Sequence, residues 1–307
     1  MLISIDHGNS AIKTPNFTFV SGYIESSVPP AISDECLFFN GKYYSLTEKR
    51  IVYRRDKTAD DSYFILTLFA IGKELKAAKI KNEFTSIDLA VGLPPEHYGV
   101  LRDKYEQYFR REGMISFKYN DGTYNIGINK VMVFPQAYAA VVPQSDLIVK
   151  YPRVFIVDIG GYTTDVLLLH NGRPDLSFCK SLDNGVITMY NDIISRVDIL
   201  HDIKITDEHI REVLTGEYSC IPDDIKKSIS DAAEKHTFQI LNKLREFGID
   251  LKGTKSVFVG GGSLLLRSFI EQSKLVFDAS FVENQMANAK GYELLAQAVL
   301  ASKKGAK

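Results

Sequence analysis

The chain has 307 residues, 45% of them apolar, enough for two ordinary cores or for one large domain carrying an insertion. Its 37 Lys and Arg balance 38 Asp and Glu with no basic block, which gives no electrostatic reason for direct nucleic-acid binding. Cys36, Cys179 and Cys220 are far apart and odd in number, so they suit a reducing cytoplasm better than a disulfide framework or a zinc site. The start "MLISIDHGNS" lacks the apolar centre of a signal peptide, and no apolar run nears the roughly 20 residues of a membrane span, so a soluble chain is expected.

In chain order, "LISID" (2–6) reads as a buried strand that breaks at "HGN" and resumes after Lys13. Residues 56–81 have apolar positions at helical spacing with basic residues near the end, where they suit the helix dipole. "SIDLAVGLP" (86–94) is a strand stopped by Pro94 and Pro95. A helix over 96–112 follows, with Leu101, Tyr105, Tyr108 and Phe109 on one stripe and Gly113 at the exit. "NKVMVF" (129–134) is a strand, and Pro135 then opens a short helix over 135–142.

"VFIVDIGGYTTDVLLL" (154–169) repeats the opening pattern: Asp6 aligns with Asp158, Gly8 with Gly160 and Asn9 with Gly161. "NGRP" (171–174) is a turn between strands. Helices are expected over 187–197, from Thr206 to an end at Gly216, and from Pro222 to Phe247 with Gly248 beyond. "SVFVGGGSLLLRSFIE" (256–271) is a strand, three glycines and a helix capped by Ser263. A strand over 275–282 and a helix over 288–303 close the chain. Strand hairpins mixed with helices point to α/β lobes. Phe64, Leu68, Phe69, Tyr105, Phe109 and Phe238 fall at helical spacing and are assigned to the core. The six histidines are scattered and none reads as a metal ligand.

The P-loop and dinucleotide fingerprints are absent, so a nucleotide must be held another way. A glycine turn exposes consecutive backbone N–H groups to phosphate oxygens, and the sequence has two related turns. Asp6 and Asp158, just before them, make sense beside a polyphosphate if Mg²⁺ lies between. Lys13 would then meet the β and γ phosphates as a point charge. Gly260 to Gly262 form either a tight connection or a flat surface for an adenosine.

"IDHGNSAIK", "PQAYAA", "VDIGGYTTD", "VGGGSLLL" and "ANAKGYELL" resemble, in order, the phosphate 1, connect 1, phosphate 2, adenosine and connect 2 motifs of the actin, sugar-kinase and heat-shock ATPase superfamily. Within it the chain looks most like the bacterial actin-like ATPases of plasmid segregation. The resemblance implies an α/β, two-lobed, duplicated ribonuclease H-like fold with a nucleotide cleft between the lobes. One lobe would take residues 1–145 and 288–307, with a small subdomain at 30–83; the other would take 146–287, with a helical subdomain at 190–250. It implies that Asp6 and Asp158 face the metal through water, and that Gly8, Asn9, Lys13, Gly160, Gly161, Thr163 and Thr164 cradle phosphates. Gln136 would orient the attacking water, and a carboxamide is a poor base, so hydrolysis would be slow. Gly185 would lie near the ribose, Gly261, Gly262 and Ser263 at the adenosine, and Leu265 beside the base; Asp165 would be a supporting group or a plain strand residue. The implied cofactors are ATP or GTP and Mg²⁺. The implied partners are the chain itself, as a filament, and a DNA-bound adaptor, with no direct nucleic-acid or membrane contact. The alternative is a sugar-type kinase of the same superfamily. The chain ends soon after the last motif, which leaves no room for the peptide-binding domain of a chaperone ATPase.

Overall fold

The computed structural model describes residues 1–31, 35–80 and 84–305, and the chain divides into two compact units, Met1–Pro143 with Met286–Lys307, and Gln144–Gln285. Lys81, the expected end of the first helix, lies outside the described residues, as do 32–34 and 82–83 of the expected small subdomain.

In the first unit β1 (Leu2–His7) turns back into β2 (Ala11–Lys13), which pairs with β3 (Thr18–Val20). The returning strand begins at Ala11 rather than after Lys13, so Lys13 lies inside the hairpin, directly opposite Asp6. β4 (Tyr23–Ser26), β5 (Cys36–Phe39) and β6 (Lys42–Leu46) follow. Next comes α1 (Ser62–Ala77), apolar all round and buried, with Phe64, Leu68 and Phe69 in the core. It starts later than residue 56 because side chains compete for the backbone there. Asp56 accepts from the Thr58 N–H and hydroxyl, and Asp60 accepts from the Ser62 N–H.

β7 (Phe84–Leu93) leads to α2 (Pro95–Phe109), which buries Tyr105 and Phe109. This helix stops short of residue 112 because Arg111 is drawn away: its guanidinium lies 4.2 Å from the Phe64 ring and donates to Asp61 at 2.7 Å. β8 (Ile115–Tyr119) and β9 (Gly122–Pro135) form a hairpin of which only the far end was expected. β9 points Tyr124, Ile126 and Ile128 inward, then Val131 and Val133, because Asn129 is a bulge in its pairing with β7 that shifts the alternation by one. The nine strands order β3-β2-β1-β7-β9-β8-β5-β6-β4, with β1, β7 and β9 parallel. Pro135 closes β9 opposite Leu93 instead of opening a helix, and the short α3 (Tyr138–Val141) follows it.

The second unit is a five-stranded sheet, β12-β11-β10-β13-β14. β10 (Arg153–Ile159) and β11 (Thr164–His170) form the second glycine hairpin, and Asn171 and Gly172, both at positive φ, turn the chain into β12 (Arg173–Leu182). The helices α4 (Val186–His201), α5 (Asp207–Thr215) and α6 (Asp223–Glu246) pack over it; Thr206 caps α5, and Gly216 and Gly248 leave α5 and α6 in the left-handed region. β13 (Lys255–Val259), α7 (Gly261–Leu265), α8 (Arg267–Gln272) and β14 (Ala279–Phe281) complete it. Ser263 is not the cap of α7: Gly260, at φ +85°, occupies that position. Phe238, assigned to the core, is only half-buried. Among the described residues no helix is long and apolar enough to cross a membrane.

α9 (Ala287–Gly305) returns to the first unit. Tyr292 is fully buried with Ala90, Ala139 and Ala296, and a Cβ placed on Gly291 would fall 1.8 Å from the Ala139 carbonyl oxygen. Gly291 therefore sets how closely α9 approaches α3. Gly291→Ala is expected to destabilise the chain by about 1–3 kcal/mol. Gly99→Ala, where nothing lies within 4 Å of the added carbon in a helix, is expected to stabilise by about 0.5–1 kcal/mol. Urea denaturation of both variants checks the contrast.

Candidate functional site

The turn between β1 and β2 is bound to its own unit through its carbonyls. The Gly8 carbonyl accepts from the Ser21 hydroxyl at 2.6 Å and the Ser10 carbonyl from the Ser21 N–H at 3.1 Å. The His7 carbonyl accepts from the buried Lys57 ammonium. A trans peptide carries its C=O and the next residue's N–H on opposite edges, and no peptide here is cis. Fixing these carbonyls therefore aims the Asn9 and Ala11 N–H groups away from Ser21, and the Gly8 N–H away from Lys57. A Cβ on Gly8 would lie 2.5 Å from the Ala11 carbonyl oxygen, so only glycine allows this turn. Asn9 is held by the Tyr63 hydroxyl, which donates to its Oδ1 at 2.8 Å.

Asp6, buried at the end of β1, accepts from the Gln136 side-chain amide at 3.1 Å. Gln136 follows β9; its N–H donates to the Leu93 carbonyl at 2.8 Å, and its carbonyl accepts from the Tyr138 N–H at 2.6 Å. The residue between, Ala137, has φ 62° and ψ −55°. This is the positive-φ γ-turn, rare and strained for a residue with a Cβ. The Ala137 N–H donates to the Asn288 side chain at 3.1 Å. Asp6, Gln136, Lys13, Gly8 and Asn9 thus form one group in the first unit.

In the second unit the turn after β10 closes with the Gly160 N–H on the Thr163 carbonyl at 2.8 Å. Its carbonyls meet the start of α4: Val186 donates to Gly160, Ile187 to Gly161 and Gly185 to Tyr162, at 3.1, 2.7 and 3.0 Å. The same peptide geometry directs the Gly161, Tyr162 and Thr163 N–H groups away from that helix. The glycines interlock. A Cβ on Gly185 would lie 2.3 Å from the Gly161 oxygen, one on Gly262 2.6 Å from the Ile159 oxygen, and one on Gly260 2.3 Å from the Asp158 carboxylate. Asp158, Gly160, Gly161, Gly185 and Gly260 to Gly262 are therefore together. Gly261 itself is open, with nothing within 4 Å of an added carbon.

Several side chains singled out in the sequence are engaged within the unit. The Thr164 hydroxyl donates to the Asn184 carbonyl at 2.8 Å and the Thr163 hydroxyl to Asp165 at 2.9 Å. Ser263 is fully buried and donates to the Val259 carbonyl at 2.5 Å, and Leu265 packs against the unit's core. Asp165 stands directly opposite Asp158, the position Lys13 holds opposite Asp6. Among the described residues no group of three or more His, Cys, Asp or Glu is placed to hold a metal ion.

Ser21, Lys57, Tyr63 and Asn288 were not among the residues expected from sequence, though Asn288 lies in the quoted "ANAKGYELL". His7 is also part of the support. It is fully buried, its Nε2 lies 2.8 Å from the Thr67 hydroxyl, and its ring stacks on Phe109 with centroids 4.8 Å apart. Burial, with the Lys57 charge second, holds its pKa well below the ordinary histidine value. The unfolded chain then takes up a proton that the folded one refuses, so stability is full above pH ~6.5 and falls on acidification. His236, also lowered by burial, adds in the same direction. Denaturation midpoints from pH 7.5 to 5 should fall, and less steeply in His7→Phe.

The sequence matches none of the curated proteins with which it was compared. Two family models do match: "Actin like proteins N terminal domain" over residues 5–138 and "Archaeal actin homologue MreB-like, C-terminal" over 156–272. Among solved structures, the archaeal actin homolog Ta0583 in complex with ADP aligns at 16% identity and TM-score 0.73. A 15-stranded ParM filament from Clostridium botulinum aligns at 21% and 0.74, and Bacillus thuringiensis ParM with ATP at 14% and 0.67. Each alignment covers 97% of this chain and 99% of the other, so the actin-like fold runs through both units. With one model covering the first glycine turn and the other the second, the chain belongs to the actin-like proteins.

Proposed function

We propose that this actin-like protein is a filament-forming nucleoside triphosphatase that takes ATP or GTP with Mg²⁺. Its setting is cytoplasmic, in plasmid DNA segregation, where it acts through a DNA-bound adaptor without touching nucleic acid or membrane itself. The observation that carries the reading is the duplicated turn. In each unit an aspartate lies one residue from the end of a strand, just before a glycine turn whose carbonyls are tied inward, which leaves N–H groups for phosphate oxygens. The similar proteins support it: one was solved with ADP, one with ATP and one as a filament.

In this reading both turns serve one triphosphate. Lys13 adds a point charge to it, and Gly185, Gly261 and Gly262, with the Ser263 backbone and Leu265, bound the nucleoside. Gln136 orients a water whose oxygen bonds to the γ-phosphorus as the β–γ bridge breaks, releasing nucleoside diphosphate and inorganic phosphate, with the water's proton passing to a phosphate oxygen or solvent. A carboxamide positions that water without taking its proton, so turnover is slow. The donor set fits magnesium. Asp158 and Asp165 face each other as like charges, an unfavourable cross-strand pair, and this ion takes one or two carboxylates together with phosphate oxygens and waters rather than a protein cage. Asp6 and Asp158 would hold it through water, and when bound it neutralises phosphate charge.

Asp158→Ala is expected to abolish triphosphate hydrolysis while the circular-dichroism melt stays cooperative; undiminished turnover would contradict the role. Light scattering of micromolar protein should rise on adding ATP or GTP with Mg²⁺. Phosphorylation of a hexose with no rise under any nucleotide would favour a sugar-type kinase instead.

A further inference from the structure

Gln136 occupies the first position of a γ-turn that an alanine does not adopt unaided. Its main chain is fixed on both sides, by the Leu93 carbonyl and by the Tyr138 N–H. The middle residue, Ala137, is fully buried at φ 62°, and in such a turn its own N–H points out of the ring with no turn partner. A buried amide needs an acceptor. The acceptor is Asn288 Oδ1, at 3.1 Å, from the first turn of the helix that returns to this unit. Asn288 is itself buried, and Gly291, one turn on, allows the two backbones to approach closely enough for the bond.

We propose, resting on the reading above, that Asn288 is the positioning residue for Gln136. By accepting the Ala137 N–H it holds the strained turn, and the turn sets the direction from which the Gln136 carboxamide reaches Asp6 and the attacking water. Asn288 touches neither nucleotide nor water in this scheme. Its effect is on turnover, not on affinity, and it is exerted wholly through Gln136.

The test uses the full chain with ATP or GTP and Mg²⁺. Asn288→Ala should lower turnover roughly 10- to 100-fold and leave nucleotide affinity within about twofold, since the phosphate turns are untouched. Asn288→Asp, which keeps an acceptor, should recover most of the rate. In a Gln136→Ala background Asn288→Ala should cost nothing more. Wild-type turnover in Asn288→Ala, an affinity loss equal to the rate loss, or an additive loss in the Gln136→Ala background would each overturn the proposal. A wild-type chain that hydrolyses no triphosphate would instead sink the parent reading. Hydrogen exchange at the Ala137 amide, measured on the same samples, still decides on the clamp: acceleration about tenfold or more in Asn288→Ala supports it, and unchanged exchange overturns it.

Discussion

A peptide plane cannot turn its carbonyl and its N–H to the same side, and both glycine turns depend on that constraint. Once Ser21 holds the Gly8 and Ser10 carbonyls, and the start of α4 holds those of Gly160, Gly161 and Tyr162, the direction of the amides is settled without any ligand. The sheets supply the rest. β1, β7 and β9 run parallel, so Asp6, Leu93 and Gln136 all reach the carboxyl edge of one sheet; β10 and β13 do the same for Asp158 and Gly260. Carboxyl edges of parallel strands are where such sheets bind ligands. Here the hairpins β1–β2 and β10–β11 add an antiparallel return beside each edge.

Features at these edges work against stability. Ala137 sits at an unfavourable φ, His7 is buried neutral, Lys57 is buried on a carbonyl, and Asp158 faces Asp165. Each is a local cost, and each lies against a large apolar cluster. α1 with Tyr105 and Phe109 backs the first turn, and the α4 to α6 helices back the second. The aromatic cage around His7 shows the coupling: Phe109 stacks on it, while Tyr63 contacts its edge and also holds Asn9. Packing in the first unit thus sets the orientation of a side chain at the turn.

Much of this was legible because it is written locally. Turn glycines, the Thr206 cap, and Gly216, Pro222 and Gly248 at helix ends carry their conformational reason in their own residue type. What was missed depends on partners far along the chain. The β8–β9 hairpin has a turn signal in Asn120, Asp121 and Gly122, but the bulge at Asn129 shifts the apolar parity, so only the stretch beyond it reads as a strand. Pro135 looks like a helix opener until its pairing with Leu93 is seen. Asn288 has no local signal for its role, because the amide it serves is 151 residues away. Ser263 looked like a cap because serine so often is one, yet three glycines let the helix start earlier and leave the hydroxyl to the Val259 carbonyl.

The two hairpins are one design used twice with a single change of sign. Asp6 and Asp158 open equivalent turns, and the residue directly across the ladder is Lys13 in the first and Asp165 in the second. Side chains directly opposite on antiparallel strands share a face, so the first hairpin pairs an acid with a base while the second sets two acids together. Lys13 makes the first arrangement the more favourable for an anionic group, and the two acids make the second the less favourable. Reversing the sign in the second hairpin, with Asp165→Lys, would turn a pair of like charges into an acid–base pair like that of the first. On the proposed function, phosphate binding at this turn would then depend less on magnesium, and titrating Mg²⁺ at fixed nucleotide would show a weaker requirement in the variant than in the wild type.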